Sequence, residues 1–395
     1  MTDEAKQALR RSLPGTVLAL GAVSFLTDVS SEMIYPLLPV FLATVLGVGA
    51  LYLGVIEGVA ESTASLLKVV SGAWSDRLKR RRPLLAFGYG LSGAARPLIG
   101  LAAGWPFVLA MRFLDRIGKG LRTSPRDALI ADVTDPSIRG RAFGLHRAMD
   151  HAGAVVGPLA AAGLLSYAGV TLRHVFLLAA APAVLVMLVI ALGVRERKAR
   201  EPGPSPRLRF KAGLREMGPG FRRLLAALLV FTLGNSTDAF LLLRLGDAGL
   251  TAGQVALLWS AHHVVKMAAT YAGGRLSDRL GRRPMIACGW IVYAAVYLAF
   301  ALVGSRAGLV AVFLSYGLYF GLTEPAEKAW VADLVPERLR GTAFGLYHGA
   351  IGLAALPASL LFGLLWHAFG SPVAFVAGAG LAAIAAVLLL RVNDS

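Results

Sequence analysis

The amino-acid sequence contains the same two patterns twice. The segment SGAWSDRLKRRRPL at 71–84 returns as GGRLSDRLGRRPM at 273–285. Likewise, ALIADV and RGRAFGL within 128–145 return as AWVADL and RGTAFGL within 329–346. Both patterns recur at an offset of 201 or 202 residues, which indicates a duplicated half of about 200 residues. Internal repeats of this kind, in an apolar chain, are found in many transporter folds.

The composition is that of a membrane protein. Hydrophobic residues make up 56% of the chain and charged residues only 16%, whereas a soluble domain has about 25% charged residues. The 45 glycines agree with this class, because glycine is more frequent in membrane helices than in soluble ones. The single cysteine, Cys288, excludes an intrachain disulfide and a multi-cysteine metal site. The N-terminal residues lack the apolar core of a cleaved signal peptide, so none is expected.

Twelve apolar stretches are each long enough to cross a bilayer, which takes about 20 residues of helix. The predicted spans, numbered 1 to 12 in chain order, are 15–43, 50–74, 83–103, 106–132, 141–168, 173–194, 221–246, 251–275, 284–304, 307–332, 341–368 and 371–391. Pro36 and Pro39 are expected to break span 1 near its outer end.

The predicted fold is therefore an all-α membrane protein with twelve transmembrane helices. We expect two six-helix bundles, 1–194 and 221–395, related by pseudo-twofold symmetry. A cytoplasmic basic linker at 195–220 joins them. The chain is expected to be a monomer, since each six-span half already completes the other.

Lys and Arg concentrate in alternate loops. The loops between spans 2 and 3, 4 and 5, 8 and 9, and 10 and 11 are basic, and so is the linker, whereas the intervening loops are short and nearly uncharged. Because basic loops stay on the cytoplasmic side, both termini are predicted to be cytoplasmic, in a bacterial cytoplasmic (inner) membrane. This topology accounts for the net charge of +17, so no nucleic-acid partner is expected.

The loops after spans 2 and 8 share the motif G-x-x-x-D-R-x-x-R-R. Its residues are Gly72, Asp76, Arg77, Arg81 and Arg82 in the first copy, which has one more residue before the last two arginines, and Gly274, Asp278, Arg279, Arg282 and Arg283 in the second. Together with six plus six spans and a central basic loop, this motif resembles the major facilitator superfamily, and the resemblance covers essentially the whole chain. It implies that each Asp binds the start of a helix in the opposite half and latches the cytoplasmic side. By symmetry, Asp76 is expected near Gly341 at the start of span 11, and Asp278 near Gly140 at the start of span 5.

Span 4 carries the pattern R-x-x-K-G-x-R, from Arg116 to Arg122. It is similar to the superfamily's R-x-x-Q-G-x-G, with Lys119 and Arg122 as departures. The resemblance implies a part in proton coupling for Arg116 alone.

Span 5 carries a spaced glycine pattern made of Gly144, Gly153, Gly157 and Pro158. It resembles the antiporter motif of exporters in this superfamily, although two alanines replace the closing glycine pair. Small residues let helices approach closely, and proline bends a helix. Plain helix packing would produce a similar spacing, so export is implied by the resemblance rather than by the spacing.

Many ionisable side chains lie inside the predicted spans, although a charge at the bilayer centre costs about 2.5–3.5 kcal/mol on insertion scales. Such side chains require partners or a wet cavity, and some of them are expected to form structural bridges. The candidates for proton coupling or substrate binding are Asp28, Glu32, Glu57, Glu61, Asp115, Arg116, Lys119, Asp150, Asp238, His262, Lys266 and Glu324. A carboxylate among them can take up a proton when its burial and its neighbouring cations change.

These features predict a secondary active transporter that moves a small solute by alternating access. No phosphate-binding G-x-x-x-x-G-K-[ST] loop occurs, so primary pumping is not expected. The favoured mechanism is proton-coupled antiport that exports a drug or a metabolite. The alternative is uptake or exchange of an anionic metabolite, which the cationic face of span 4 would bind.

Other classes of function fit less well. Nothing resembles a nucleophile–base pair or a metal-hydrolase spacing, so neither an enzyme nor a lipid scramblase is expected. No cofactor or metal site is predicted, although His262 and His263 near Glu61 leave a transition-metal site open. The expected partners are the small-molecule solute, protons and the lipid bilayer.

Overall fold

A computed structural model of the chain describes residues 12–48, 50–78, 80–167, 169–196, 216–250 and 252–391. Within these residues the backbone is helical apart from short connections, and no strand is present. Helices suit apolar runs in a bilayer because they satisfy every backbone N–H and C=O internally. All twelve predicted spans fall on helices, which confirms the all-α fold class.

Nine spans are single helices and three are divided. Spans 2 to 5 are Ala50–Leu78, Arg82–Leu98, Trp105–Val133 and Arg139–Tyr167, and spans 8 to 12 are Ala252–Leu280, Arg282–Leu302, Arg306–Asp333, Arg340–Phe369 and Ser371–Leu390. Spans 1, 6 and 7 are divided into Gly15–Glu32 with Leu38–Thr44, Leu172–Leu178 with Ala180–Gly193, and Gly218–Gly234 with Ala239–Asp247.

The breaks in spans 1 and 7 have local causes. Span 1 is interrupted by a short 3-10 turn that contains Pro36, and the second helix begins next to Pro39, so the predicted break is confirmed. Span 7 is interrupted at 235–238, which its apolar pattern does not predict. This segment reads Asn-Ser-Thr-Asp, and such side chains compete with the helix for backbone hydrogen bonds.

Nine spans in the described part of the chain are both long and apolar enough to cross a membrane. Spans 2, 4 and 8 are equally long at 29 residues each, but their charged residues lower their hydropathy. A helix of this length extends over about 40 Å, more than the bilayer core. The charged residues that lower the hydropathy of spans 2, 4 and 8 include several of the candidate site residues.

The described chain divides into two compact units. The first contains Met1–Asp135, Met149–Ser205 and Arg338–His348, as far as these ranges are described. The second contains Pro136–Ala148, Pro206–Glu337 and Gly349–Ser395, with the same restriction. The start of span 5 therefore belongs to the second unit, and the start of span 11 belongs to the first.

Each unit contains the same four helix pairings. In the first unit, span 1 packs on span 6, span 2 on span 4, and span 3 on spans 4 and 6. In the second unit, span 7 packs on span 12, span 8 on span 10, and span 9 on spans 10 and 12. Adding six to every span number converts the first set into the second, so the packing confirms the duplication that the sequence indicates.

Apolar side chains fill both units and also cover their outer surfaces. In the first unit the buried rings of Phe41 and Phe176 lie 5.0 Å apart. In the second, Trp290 stacks on Phe231 at 4.7 Å. On the outside, Leu192 is 77% exposed. Extensive apolar exposure marks a surface that meets another apolar phase, which here is the lipid.

Spans 8 and 10 approach so closely that a side chain does not fit at their crossing. A Cβ atom on Gly273 would overlap the carbonyl oxygen of Gly321, and one on Gly321 would lie 2.7 Å from the Cβ of Ala269. The obstructing groups at Gly273 are backbone atoms, which cannot rotate away. The crossing therefore fixes span 8 against span 10 within the second unit.

We predict that Gly273→Ala lowers the melting temperature of the purified protein by several degrees. Overpacking of this kind costs about 1–3 kcal/mol, because the two helix backbones must separate. The measurement is thermal unfolding in one detergent, followed by tryptophan fluorescence. The matched control is Gly380→Ala in span 12, where an added Cβ meets nothing within 4 Å. Equal melting temperatures for the two variants would contradict the proposed crossing.

Candidate functional site

The first of the two aspartate contacts of the motif, here called the first latch, is formed by Asp76 in the first unit. Its carboxylate accepts hydrogen bonds from the backbone N–H groups of Gly341 and Thr342, at 2.9 and 2.6 Å, and from the Thr342 hydroxyl at 2.8 Å. These donors lie in the first turn of span 11, where N–H groups lack partners within the helix and the helix dipole favours an anion. The predicted contact between Asp76 and Gly341 is confirmed.

Arg81 extends the first latch into a row of alternating charges. Its guanidinium lies 3.1 Å from Asp76 and 3.0 Å from Asp132. Arg340 lies 2.8 Å from the same Asp132. Charge-assisted hydrogen bonds are roughly twice as strong as neutral ones. The row therefore ties the loop after span 2 and the end of span 4 to the start of span 11.

The second latch is formed by Asp278 in the second unit. Its two carboxylate oxygens accept hydrogen bonds from the backbone N–H groups of Gly140 and Arg141, both at 2.8 Å. These donors lie in the first turn of span 5, so the geometry repeats that of the first latch. The predicted contact between Asp278 and Gly140 is confirmed.

The second latch continues into a row of charges of the same kind, within the second unit. Arg282 lies 2.5 Å from Asp278 and 3.3 Å from Asp333, and Arg139 also pairs with Asp333. The duplication relates the members of the two rows. Arg282 corresponds to Arg81, Asp333 to Asp132 and Arg340 to Arg139. The sequence motif thus predicts the aspartates of both latches but not the full four-membered rows.

The glycines of the two motifs allow these contacts. A Cβ atom on Gly72 would overlap the carbonyl oxygen of Gly341, and one on Gly274 would overlap that of Gly140. Any other residue would hold the helices apart and lengthen the hydrogen bonds of the neighbouring aspartate. Gly72 and Gly274 are therefore steric requirements of the latches.

Arg77 and Arg279 differ from the other motif residues, because both side chains are exposed. The cations that contact the latch aspartates are Arg81 and Arg282 instead. Helical geometry explains this, since adjacent residues point about 100° apart. The arginine that follows each aspartate therefore faces away from it.

Arg81 of the first latch lies after the helix of span 2, which ends at Leu78. Burial lowers the pKa of the Arg81 guanidinium, but the charges of Asp132 and Asp76 outweigh it, and that pKa is raised overall. Arg81 thus stays cationic.

Two further bridges lie deeper along the same helices. In the second unit, Arg147 of span 5 binds Glu324 of span 10 through two hydrogen bonds of 2.5 and 2.8 Å. In the first unit, His348 of span 11 lies 2.8 Å from the buried Asp127 of span 4, which Arg126 also contacts at 3.0 Å. His348 and Arg147 occupy the same position of the repeat. The candidate Glu324 is therefore held in a bidentate ion pair.

A buried cluster of charges in the first unit surrounds Asp115 of span 4. Arg96 of span 3 donates to its carboxylate at 2.8 Å, and Arg112 does so at 3.2 Å. Arg96 also donates to the carbonyl oxygen of Thr27 in span 1, at 3.0 Å. Arg116 acts on Asp115 as well, through its charge. Arg96 was not among the predicted site residues, although it is an isolated cation inside an apolar run.

The two acids of span 1 face this cluster. Glu32 is half-buried and lies within electrostatic range of Lys119, Arg96, Arg116 and Arg112. The structure therefore brings Glu32 together with Arg116 and Lys119, as candidates of one site.

Asp28 lies one helical turn before Glu32, among both acids and cations. It is within electrostatic range of Asp150, of Glu32 and of two arginines, Arg96 and Arg122. Asp150 of span 5 is buried and accepts a hydrogen bond from the Ser24 hydroxyl. The acids Asp28 and Asp150 thus meet between spans 1 and 5 in the first unit.

The antiporter-like glycines of span 5 pack against the acids of span 1. A Cβ atom on Gly153 would lie 2.8 Å from the Cβ of Asp28, and one on Gly157 would lie 2.8 Å from the Cβ of Glu32. Pro158 lies inside the same helix. The glycine spacing of this motif therefore serves to bring span 5 against the acid-bearing face of span 1.

Gly144 belongs to a different contact, at the start of span 5 in the second unit. A Cβ atom there would lie 2.6 Å from the carbonyl oxygen of Thr270 and 2.9 Å from the Cα of Gly274. Gly144 thus supports the second latch, whereas Gly153 and Gly157 support the acids of span 1.

The second unit contains the remaining candidates that the structure describes. Asp238 lies in the break of span 7 and is half-buried. It accepts a hydrogen bond of 2.9 Å from the Tyr316 hydroxyl, and the Lys266 amine lies 3.8 Å away. His262 is fully buried, with its ring stacked on Tyr316 at 5.4 Å. The structure therefore brings Asp238, His262 and Lys266 together.

Two candidates cannot be placed in this way. The side chains of Glu57 and Glu61 in span 2 lie outside the described part of the structure. The possible metal site of His262 and His263 with Glu61 therefore has no described third member. Among the residues that are described, no group of three or more His, Cys, Asp or Glu could hold a metal ion.

The sequence matches known proteins along most of its length. It matches the model of the Major Facilitator Superfamily over residues 20–245 and 224–395. An uncharacterized MFS-type transporter of Methanocaldococcus jannaschii is 34% identical over 387 residues, which cover 96% of this chain and 95% of the relative. The multidrug resistance protein MdtH of Salmonella newport is 25% identical over 329 residues, which cover 82% of this chain and 79% of that protein.

Solved structures share the fold at lower sequence identity. The human organic anion transporter MFSD10 (TETRAN) has a TM-score of 0.79 and 19% identity, over 95% of this chain and 99% of the other. The E. coli fucose:proton symporter FucP has a TM-score of 0.78 and 17% identity, over 96% of this chain and 98% of the other. These likenesses concern the fold alone, and they confirm the predicted twelve-helix architecture.

We predict that Asp76→Asn and Asp278→Asn each lower the melting temperature by several degrees. Each substitution removes the charge from a buried, hydrogen-bonded acid, and loss of such a bond costs about 1–3 kcal/mol. The measurement is thermal unfolding of the purified protein in detergent. The matched control is Asp247→Asn at an exposed acid, which is expected to melt like the unaltered protein. Equal melting of all three variants would show that the latches do not stabilise the structure.

Proposed function

The chain belongs to the major facilitator superfamily, whose members are membrane transporters rather than enzymes, and on this basis we propose that it exports a small solute by proton-coupled antiport. The proposed cycle is alternating access, in which the solute and the proton are bound in turn from opposite sides of the membrane. The proposed coupling ion is the proton, and the proposed solute is a drug or a metabolite.

The observation that carries this proposal is the position of the acids in span 1. Asp28 and Glu32 lie within a predicted membrane span, among the cations of spans 3 and 4. The antiporter-like glycines Gly153 and Gly157 pack directly against them. A carboxylate gains or loses a proton when its cation neighbours and its burial change. Movement of span 5 against span 1 would change both, which is the requirement for coupling a proton to a conformational change.

The two latches would hold the cytoplasmic side closed during part of this cycle. Each fixes a loop to the first turn of a long helix by backbone hydrogen bonds and ion pairs. Such contacts are strong when intact and leave exposed, hydratable charges when broken. We propose that they close the cytoplasmic side and that their opening admits the solute.

The proposal includes a topology. The basic loops favour cytoplasmic N- and C-termini in a bacterial inner membrane. The proposed bundles are 1–194 and 221–395, with 195–220 as a cytoplasmic linker, and the proposed state is a monomer. The name of the relative MdtH, a multidrug resistance protein, supports the direction of transport, because multidrug resistance is a property of export.

Exchange or uptake of an anionic metabolite is the second candidate function. The cations Lys119, Arg96, Arg116 and Arg112 all lie within range of Glu32, and arginine binds carboxylate and phosphate through two hydrogen bonds. With Glu32 protonated, this group would carry a surplus of positive charge. An anion would then take the place of the carboxylate.

We predict that one class of solute drives proton movement in proteoliposomes and that Glu32→Gln abolishes it. The pH inside vesicles is followed while lipophilic cations, organic anions, sugars and divalent metals are added in turn. A glutamine keeps the size of Glu32 but cannot carry a proton, so coupled flux should fall at least tenfold, to the level of empty vesicles. Solute counterflow, which needs no proton, should persist in the variant.

The matched control is Glu337→Gln at an exposed position, with proton movement expected as in the unaltered protein. Proton movement that survives in Glu32→Gln would remove Glu32 from the coupling path. If no solute moves protons while an anion shows counterflow in all three proteins, proton antiport fails and anion exchange takes its place.

A further inference from the structure

An ammonium group is enclosed within the second unit. The Lys266 side chain is 6% exposed, and its amine lies 3.5 Å from the ring centroid of Phe320 and 5.7 Å from that of Trp259. A cation within about 6 Å of an aromatic centroid is attracted to the ring face. The group made of Asp238, Trp259, Lys266, Tyr316 and Phe320 is called the amine box below.

The walls of the amine box are aromatic on several sides. The rings of Tyr316 and Phe320 lie 5.1 Å apart at an angle of 72°. His262 stacks on Tyr316, and its centroid lies 6.0 Å from that of Trp259. Rings that meet edge to face and flank a single cation form the kind of cage that recognises ammonium groups.

The ion pair between Asp238 and Lys266 in the amine box is long. The distance from Lys266 to Asp238 is 3.8 Å, whereas the ion pair of Arg147 and Glu324 in the same unit is 2.5 Å. Asp238 also accepts a shorter hydrogen bond, 2.9 Å, from the Tyr316 hydroxyl. Long contact with the acid and close contact with Phe320 indicate that the aromatic ring, as much as the carboxylate, positions the ammonium.

We propose that the amine box is a binding site for organic cations, namely protonated amines and quaternary ammonium compounds, and that the Lys266 ammonium is a tethered competitor for that site. A cation from outside takes the place of the lysine between Asp238 and Phe320. The lysine side chain is long and unbranched, so its ammonium can move by rotation about its own bonds.

Displacement of the lysine has a consequence for protons. Among the residues that the structure describes, the groups that act on the charge of Lys266 are Asp238 on span 7, Glu324 on span 10 and Arg147 on span 5, and His262 and His263 lie on its own helix. Glu324 is already held by Arg147 through two hydrogen bonds. Of these described acids, the one other than Asp238 is thus already paired, and a buried charge that loses its partner neutralises.

The step is balanced as follows. One N–H bond of the Lys266 ammonium breaks, the electron pair stays on the nitrogen, and the proton passes to water. The incoming monovalent cation replaces the positive charge beside Asp238. One cation is thus exchanged for one proton at this site. The amine box adds a substrate class, organic cations, to the proposed function. The use of the released proton in transport rests on that proposed function.

The test is equilibrium binding to the full-length protein in lipid nanodiscs, where no gradient exists. The probe is benzyltrimethylammonium, followed by calorimetry between pH 6 and 9, with proton release measured in weak buffer. The unaltered protein is expected to release about one proton per bound cation, so affinity should rise about tenfold per pH unit. Lys266→Met is expected to bind at least tenfold more tightly at pH 6, without proton release. Asp238→Asn should lose binding.

The matched control is Lys328→Met, which removes another buried lysine that lies over a ring, 5.9 Å from the centroid of Phe143. It should bind and release protons like the unaltered protein. The proposal is overturned if Lys266→Met binds the cation no more tightly than the unaltered protein. It is also overturned if benzenesulfonate is bound and lost in Lys266→Met, because Lys266 then recognises an anion.

Proton release by the unaltered protein tests displacement of Lys266 without any variant. The proposal therefore stays testable even if Lys266→Met does not fold. Binding without proton release overturns the displacement step. The outcome is also separate from that of the transport assay. Cation binding with proton release can occur in a protein that shows no coupled flux, and coupled flux of another solute can occur in a protein whose amine box binds nothing.

Discussion

Pairing of charge inside an apolar phase is the constraint on which the rest of this structure depends. A charge at the centre of a bilayer costs about 2.5–3.5 kcal/mol on insertion scales, and the chain carries many ionisable side chains inside its predicted spans. Two arginines offset this cost for Asp115 by pairing with its carboxylate. One arginine does so for Glu324 through two hydrogen bonds. Each pair fixes two or more helices at once. The ion pairs of Asp115 and Glu324 therefore join span 3 to span 4 and span 5 to span 10.

Close helix packing makes these pairs possible. The carbonyl of Gly341 could not lie against position 72, nor Asp28 against position 153, if either position carried a side chain. Without such approach the charged groups would stand apart and admit lipid or water between them. Glycine and charge are thus two parts of one arrangement, which explains why the motifs of this chain contain both. A glycine replaced near a latch or a span 1 acid acts on an ion pair as well as on packing.

The repeat, together with the resemblance of its loop motif to the major facilitator superfamily, allowed much of this arrangement to be predicted. The resemblance implied that each aspartate binds the start of a helix in the opposite half of the sequence. The symmetry of the repeat then pointed to Gly341 for Asp76 and to Gly140 for Asp278, and the hydrogen bonds agree. Ion pairs between residues that lie outside the motifs could not be predicted in this way. Arg96 appears in the sequence as one cation in an apolar run, and only the packing of span 3 on span 4 shows its acid. The functional roles of these residues stay predictions.

Local chemistry explains the other differences between sequence and structure. The break in span 7 falls on a polar run within a long apolar stretch, where hydropathy averaged over a helix length hides it. The amine box combines residues from spans 7, 8 and 10, so no single segment contains its pattern. Aromatic residues at helical spacing in any one span predict only a core. Their use as a cage depends on the lysine that points among them.

The duplication preserved the latches and changed the sites beside them. Both units keep an aspartate on a helix start and a row of alternating charges. Deeper in the helices, His348 pairs with Asp127 where the other copy pairs Arg147 with Glu324. An arginine keeps its charge at any physiological pH, whereas a histidine carries one only when protonated. The first unit further collects several cations around its acids, while the second sets one acid among aromatic rings. The contacts that both copies share are thus those of the latches, which join helices within each unit, whereas the side chains around the buried acids differ between the copies.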